Sequence, residues 1–333
     1  MFGNRKHRLL FAFFSLAVFA AAAESPKGVS AVARLRTTDP AAVTPARTEA
    51  LDVLQKAADG LTSEAFQEYV RKAGPESARE RESESLTLWF YNDSFDRVLR
   101  DFQATRVAPG SLAIWHIYNM GYLFKTPTRS YGIDLYHRRA AELAPHLDAL
   151  FITHNHGDHF WKPLIDAMEA AGKPVISNFR PGAWRWKEPG VHEAAGLSVR
   201  VRQVDHNRTL LKFVNIYEIN FGPETGNCVV LHTGDACAPA QFEVKNPVDV
   251  FIPHIRVGMN IEEAVRDYVH PRYVLMSHVL ELGHPVGKAR WSYRNGLDDC
   301  ARVTSCPSVW MPVWGEKLLW DGETRTLRPV PVP

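Results

Sequence analysis

The sequence predicts one large α/β domain behind an N-terminal helical extension. Three observations predict it. Of 333 residues, 45% are hydrophobic and 23% charged, the balance of a globular chain rather than a disordered one. Short apolar stretches in the later two thirds read as buried strands, and several end in His or Asp. Between residues 51 and 73, Leu51, Leu54, Ala57, Leu61, Phe66 and Val70 are spaced for one or two short amphipathic helices. No repeat or low-complexity tract occurs beyond the alanine-rich start.

Arg5, Lys6 and Arg8 precede an apolar run that ends in Ala-Ala-Ala before Glu24. This pattern predicts a secretory signal peptide over residues 1–23. The run is short for a spanning helix, which needs ~20 apolar residues; an uncleaved anchor is the alternative. No Cys follows it, so nothing suggests a lipid-modified Cys. The expectation is a periplasmic or secreted protein with no membrane span after cleavage. Residues 24–48 are rich in Ala, Pro, Thr and Arg and read as a linker. The charged run at 76–84 reads as a solvated face or loop. Residues 24–85 thus form a linker and helical extension, and the main domain covers 86–333. Leu86-Thr87-Leu88-Trp89-Phe90-Tyr91 reads as its first strand. Ala113-Ile114-Trp115-His116 and Tyr122-Leu123-Phe124 read as the next two, joined by a turn at Asn119-Met120-Gly121. The following stretch ends at Ile133-Asp134.

Residues 154–159 read His-Asn-His-Gly-Asp-His, after the apolar Leu150-Phe151-Ile152. Histidine and aspartate bind borderline divalent metals such as zinc, and four such residues in six are too dense for a hydrated loop. His154, His156 and Asp158 share parity in an extended segment, whereas His159 points the other way. Two ligand sets facing different directions suit two metals better than one. His-x-His-x-Asp-His after a strand resembles the signature of the metallo-β-lactamase-fold hydrolases. That resemblance implies a further His, an Asp and a last His. His206 follows the alternating stretch Leu197-Ser198-Val199-Arg200-Val201. Asp235 ends the apolar Val229-Val230-Leu231-His232-Thr233-Gly234. His278 ends Tyr273-Val274-Leu275-Met276-Ser277, after a helix expected at 261–269 and a break at Pro271.

The resemblance covers most of residues 86–320. It implies a four-layer αββα sandwich with two mixed sheets face to face and the metal site at one edge. It implies that His154, His156 and His206 hold one ion, that Asp158, His159 and His278 hold the other, and that Asp235 bridges. The cofactors would be two divalent ions, Zn2+ being expected. The implied enzyme is a metal-dependent hydrolase in which a water shared by the ions is activated. It would attack an ester, lactone or phosphodiester bond. Asp158 would orient the nucleophile or pass a proton to the leaving group, with His278 beside it. Asp134 would support the ligands from behind, fixing an imidazole tautomer, or else be a strand-end turn residue. The surroundings of Gly234-Asp235 and His278 are similar to the branch of ascorbate-phosphate lactonase, N-acylphosphatidylethanolamine phospholipase D and RNase Z.

Other readings remain open. Relatives that hold two irons and perform redox chemistry carry Glu where this chain has His156, which favours hydrolysis over a di-iron redox protein. A non-catalytic metal-binding protein would tend to lose ligands. A β-lactamase is disfavoured because zinc β-lactamases generally lack the bridging Asp. His254, His116 and His284 are candidate substrate contacts. His232 reads as a packed strand residue or a partner behind a ligand. His7, His137, His146, His192 and His270 read as surface or loop residues. Trp161, Trp184 and Trp186 either wall a pocket near the metals or pack in the core. Cys300 and Cys306 could close a disulfide loop; Cys237 is conceivable as a ligand, and Cys228 reads as a buried strand residue. The formal charge is +2 and includes the basic start, so the remaining body is near neutral. That gives no electrostatic reason to expect a nucleic-acid partner. A small-molecule or lipid-like substrate is expected, and nothing in the sequence fixes the oligomeric state.

Overall fold

Residues 28–333 are described by a computed structural model. The expected targeting segment, residues 1–23, lies outside the described residues. No described helix is long and apolar enough to cross a membrane.

The domain is built from two seven-stranded sheets. The first takes β1 (Ser111–His116), β2 (Tyr122–Lys125), β3 (Ser130–Ile133), β4 (Ala149–Phe151) and β5 (Val175–Ile176). The second follows with β6 (Gly190–Ala194), β7 (Leu197–Val204), β8 (Val214–Asn220), β9 (Val229–His232), β10 (Val250–Ile252), β11 (Tyr273–Leu275) and β12 (Val309–Trp310). The chain then returns to the first sheet with β13 (Lys317–Asp321), beside β1, and β14 (Thr326–Val330).

Strand alternation sorts the side chains into layers. Leu112 and Ile114 of β1 join Val199, Val201, Tyr217, Ile219 and Ile252 in the core between the sheets. Ala113 and Trp115 face the opposite way, into the helical layer. There Trp115 meets Phe102 at 5.1 Å between ring centroids, and its indole donates to Asp101 Oδ2 at 2.7 Å. On the second sheet Val229, Leu231, Phe251 and Val274 face outward, grouping with Phe242, Ala264 and Val265. Helix, sheet, sheet, helix is the αββα order the resemblance implies.

Strand directions decide where function can sit. β3, β4 and β5 are parallel, and β1 runs the same way because it is antiparallel to β2, which is antiparallel to β3. In the second sheet β9 to β12 are parallel, and β7 shares their direction through the antiparallel β8. The C-terminal ends of each such set therefore gather at one edge of their sheet, where ligands bind in sheets of this kind.

The N-terminal part is more helical than the sequence suggests. The expected linker contains α1 (Val29–Leu35), whose Val32 and Leu35 are buried. Then come α2 (Pro45–Asp59) and α3 (Ser63–Lys72), capped by the Thr44 and Thr62 hydroxyls. The charged run forms α4 (Pro75–Glu84), which buries only Ala78. Leu86 to Tyr91 is not a strand: it opens α5 (Leu86–Ala104). Ser85 caps that helix by accepting from the Leu88 N–H, and Leu88, Tyr91, Phe95, Val98 and Phe102 form its buried stripe at helical spacing. The six-residue aromatic window hid a period that only the longer stretch displays. The buried Arg47 of α2 pairs with Glu316 beside β13 at 2.6 Å and fastens the extension to the domain.

The four cysteines are free. The loop expected between Cys300 and Cys306 is not closed; Cys306 Sγ instead faces the carbonyls of Arg272 and Ser308 at 3.3 and 3.6 Å. His137, expected at the surface, is buried between Phe95 and Tyr91, with centroids 3.9 and 4.3 Å away. Burial, with help from the Arg139 charge, holds its pKa well below 6.5. Below about pH 6.5 the unfolded chain takes up a proton that folded His137 refuses. Stability is therefore expected to fall as pH drops through that value, and to be insensitive to this group above it. In His137→Asn, the slope of unfolding free energy against pH below 6.5, from urea titrations, should be shallower by up to about 1.4 kcal/mol per pH unit. An unaltered slope would contradict the assignment.

Candidate metal centre

Thr153 marks the point where the two sheets meet. Its carbonyl accepts from the Asn215 N–H of β8 at 2.8 Å, and its own N–H donates to Asp134 Oδ1 at 2.8 Å. Asp134 follows β3 and is fully buried. Its Oδ2 accepts from Thr153 Oγ1 at 2.7 Å and from His159 Nδ1 at 2.9 Å. The Thr153 hydroxyl, having donated to Asp134, accepts from His154 Nδ1 at 3.0 Å. One carboxylate thus fixes the tautomer of two histidines, one directly and one through Thr153. Both rings are thereby turned with Nε2 pointing forward, the atom each would offer to a metal ion.

The forward atoms converge. His154, His156, His206 and Asp235 form one group whose ligand atoms all lie within 4.8 Å of one another; Asp158, His159 and His278 form a second. Asp235 lies between them. Its Oδ2 is 3.4 Å from His206 Nε2 and 3.7 Å from His154 Nε2, and its Oδ1 is 3.1 Å from His159 Nε2. Asp158 Oδ2 is 3.3 Å from His278 Nε2 and accepts from the Asn119 amide at 2.9 Å. Asp235 Oδ1 and the Nε2 atoms of His154, His159, His206 and His278 are buried without a hydrogen-bond partner. Five convergent unpartnered donor atoms, all N or carboxylate O, fit divalent metal ions of the zinc type.

These residues come from the strand ends predicted above: β4, β7, β9 and β11. The local backbone is unusual. Asn119, Asp134 and His278 have positive φ of 57, 47 and 64°, a conformation non-glycine residues rarely adopt and one that clusters at functional sites. Gly234 has φ 49°, and a Cβ there would stand 2.6 Å from Thr153 Oγ1. Glycine before Asp235 therefore lets the second sheet close onto the β4 end.

Burial and charge oppose each other within the cluster. Burial keeps His154 well below the ordinary imidazole range, and burial with the neighbouring His206 lowers His156. Burial would depress His159 too, but Asp235, Asp158 and Asp134 outweigh it and hold His159 well above that range. Burial likewise opposes ionisation of Asp158 and Asp235, and the imidazoles around each outweigh it and push both carboxyls down. The acids stay ionised and draw positive charge inward.

His254, after β10, enters the cluster. With Asp235 and His278 it forms a third group of potential ligands, and its ring stacks on His278 at 3.7 Å. Its Nδ1 donates to the Ile255 carbonyl, leaving Nε2 as a lone-pair donor. Burial and the His278 charge push its pKa down to about 3. His284 stands outside the ligand groups, half-exposed, 2.5 Å from Glu281 Oε2 and 6.4 Å in ring centroid from His278. The Glu281 contact raises its pKa. His116 is not brought into the cluster: it is buried, stacks on Tyr122 and bonds the Asn119 carbonyl at 3.1 Å, behind the turn that presents Asn119. His232 is a packed strand residue bonded to the Met120 carbonyl. Trp186 stacks on His192 and is buried, Trp184 is exposed, and Cys237 joins none of the ligand groups. The sequence reading missed Asn119 and Thr153 as partners of the ligands; Thr153 adjoins the motif, but Asn119 resembled an ordinary turn residue.

Known proteins were compared with the chain. No family model and no curated protein matches it. Solved structures similar to it include the metallo hydrolase Igni18 from Ignicoccus hospitalis, at 16% identity over 63% of this chain and 98% of that one, TM-score 0.49. Another is the metallo-β-lactamase fold protein YhfI from Bacillus subtilis, at 15% identity over 63% and 99%, TM-score 0.46. A third is CmlA, a diiron β-hydroxylase from Streptomyces venezuelae, at 14% identity over 80% and 62%, TM-score 0.46.

Asp134→Asn should leave the fold intact and weaken metal affinity about 10- to 100-fold, because a neutral amide holds the His159 tautomer less firmly. Competition titration with a chromophoric chelator measures this; equal affinities would show that Asp134 only closes a turn.

Proposed function

We propose that this chain is a metal-dependent hydrolase with two zinc ions, cleaving an ester, lactone or phosphodiester bond of a small or lipid-like molecule. The convergence of unpartnered His and Asp atoms on Asp235 carries this reading. His154, His156 and His206 would hold one ion, Asp158, His159 and His278 the other, and Asp235 would serve both. Bound ions of this type supply Lewis acidity and acidify water toward a pKa of about 7.

The chain's own groups do the rest. Asp158 is kept ionised by His159 and His278 against its burial, so its carboxylate can accept a hydrogen bond from the attacking water and orient it. The Asn119 amide fixes Oδ2, and His278 flanks that oxygen. Phe213 packs against His154 and His156 at 5.5 and 5.0 Å between centroids, which limits water on that side. His156, standing where the di-iron redox relatives carry Glu, favours hydrolysis over redox chemistry. The basic start and apolar run of residues 1–23 support a periplasmic or secreted location. The near-neutral body supports a substrate other than nucleic acid.

A panel of ester, lactone, phosphodiester and β-lactam probes identifies the class turned over. On that probe Asp158→Asn should lower kcat by about 100-fold or more, the scale of positioned acid–base catalysis, with a smaller effect on KM. Unchanged kcat would contradict the role of Asp158. Iron in place of zinc, with no probe turned over, would favour the redox reading.

A further inference from the structure

The helical extension reaches the metal centre. Gln67 and Arg71 stand one turn apart on α3 and so share a face. The face spans two ligand-bearing loops. The Arg71 guanidinium lies beside Gly157, between ligands His156 and Asp158: a Cβ on Gly157 would be 3.4 Å from Arg71 Nη2. Gln67 lies beside Gly283, next to His284: a Cβ there would be 2.6 Å from Gln67 Nε2. The Tyr136 hydroxyl donates to Gln67 Oε1 at 3.4 Å, completing a polar wall on this side.

The wall is held in place. Arg290 donates to the carbonyls of Ala58 and Leu61 in the extension at 2.9 and 2.7 Å. It also donates to those of Leu282 and His284 in the loop after His278, at 2.6 and 2.7 Å. A single buried guanidinium thus ties the α2–α3 connection to that loop.

Arg71 has spare capacity. Its Nε donates to a neutral partner, Gln67 Oε1, at 2.7 Å. It makes no ion pair among the described residues, and Glu68 of the same helix is taken by Arg81. The side chain is exposed. A guanidinium with only neutral partners, Gln67 and the Tyr136 hydroxyl, at the rim of a metal centre suits a carboxylate or phosphate. His284 adds a second basic group on the same rim.

We propose that the Gln67–Arg71 face of α3 is a substrate subsite that binds an oxyanion, with Arg71 as the specificity-determining residue. This rests on the hydrolase reading of the adjoining centre: the substrate would carry a carboxylate or phosphate away from the bond that is cleaved. Arg71 touches substrate and takes no part in bond cleavage.

Two measurements on the metal-loaded full chain test this. In the first, inorganic phosphate is titrated calorimetrically into the wild type and Arg71→Gln, with metal content checked in both. The subsite requires the phosphate Kd to weaken about tenfold or more in Arg71→Gln at equal metal content, with partial recovery in Arg71→Lys. Equal Kd values would mean that phosphate binds at the metals alone, and the proposal would fall. In the second, kcat/KM is compared for a carboxylated ester, 4-nitrophenyl hydrogen glutarate, and neutral 4-nitrophenyl acetate. The carboxylated-to-neutral ratio should drop about tenfold or more in Arg71→Gln; an unmoved ratio overturns the assignment. If wild type cleaves neither ester nor bis(4-nitrophenyl) phosphate, the hydrolase reading fails, and the phosphate titration still decides whether Arg71 binds anions.

Discussion

The buried Asp235 carboxylate, faced by imidazole nitrogens from both sheets, is the constraint on which the rest of the structure depends. A buried charge or a lone pair without a partner is costly, by about 1–3 kcal/mol for a neutral group and more for a charged one. Here several such atoms point at one another. Neutral imidazoles whose Nδ1 proton is already committed, as at His154 and His254, cannot satisfy one another, since the Nε2 of each offers only a lone pair. A cation resolves this conflict, because every one of these atoms can then share it. The cluster is therefore a site that folding leaves incomplete on its own terms.

The fold tolerates that cost by building the surroundings rigidly. Strand direction brings the ends of β4, β7, β9, β10 and β11 to one edge, so residues more than a hundred positions apart meet without long loops. Thr153 and Asp134 brace His154 and His159 from behind, and Gly234 permits the close approach of the second sheet. The left-handed backbone at Asn119, Asp134 and His278 is held by this dense network rather than by local preference. The extension adds a lateral wall, pinned by Arg47 at one end and by Arg290 near the metal centre.

Much of the centre was legible in the chain. The candidate ligands are chemically distinctive residues at the ends of apolar strands, and that pattern is local. Asp134 was legible for the same reason, standing at the end of its own strand. What the sequence did not show is non-local or needs a longer window. α5 opens with six residues that suit a strand, and only its later positions display the helical stripe. α1 was hidden in a composition typical of linkers. His137 looks polar and exposed until two aromatic rings from α5 enclose it. The free state of Cys300 and Cys306 depends on where their backbones lie, which sequence closeness does not determine. Arg71 carried no signal at all, because its meaning comes from a helix packing beside a loop some 80 residues further along the chain.

The proposed role of this cluster is to hold two metal ions around Asp235. Elemental analysis of the purified protein, beside Asp235→Ala, tests it most directly. About two equivalents of zinc per chain are expected in the wild type, and less than one retained by Asp235→Ala when dialysed against the same buffer. A wild type that binds no divalent metal after incubation with zinc, or an Asp235→Ala variant that keeps both equivalents, would contradict it.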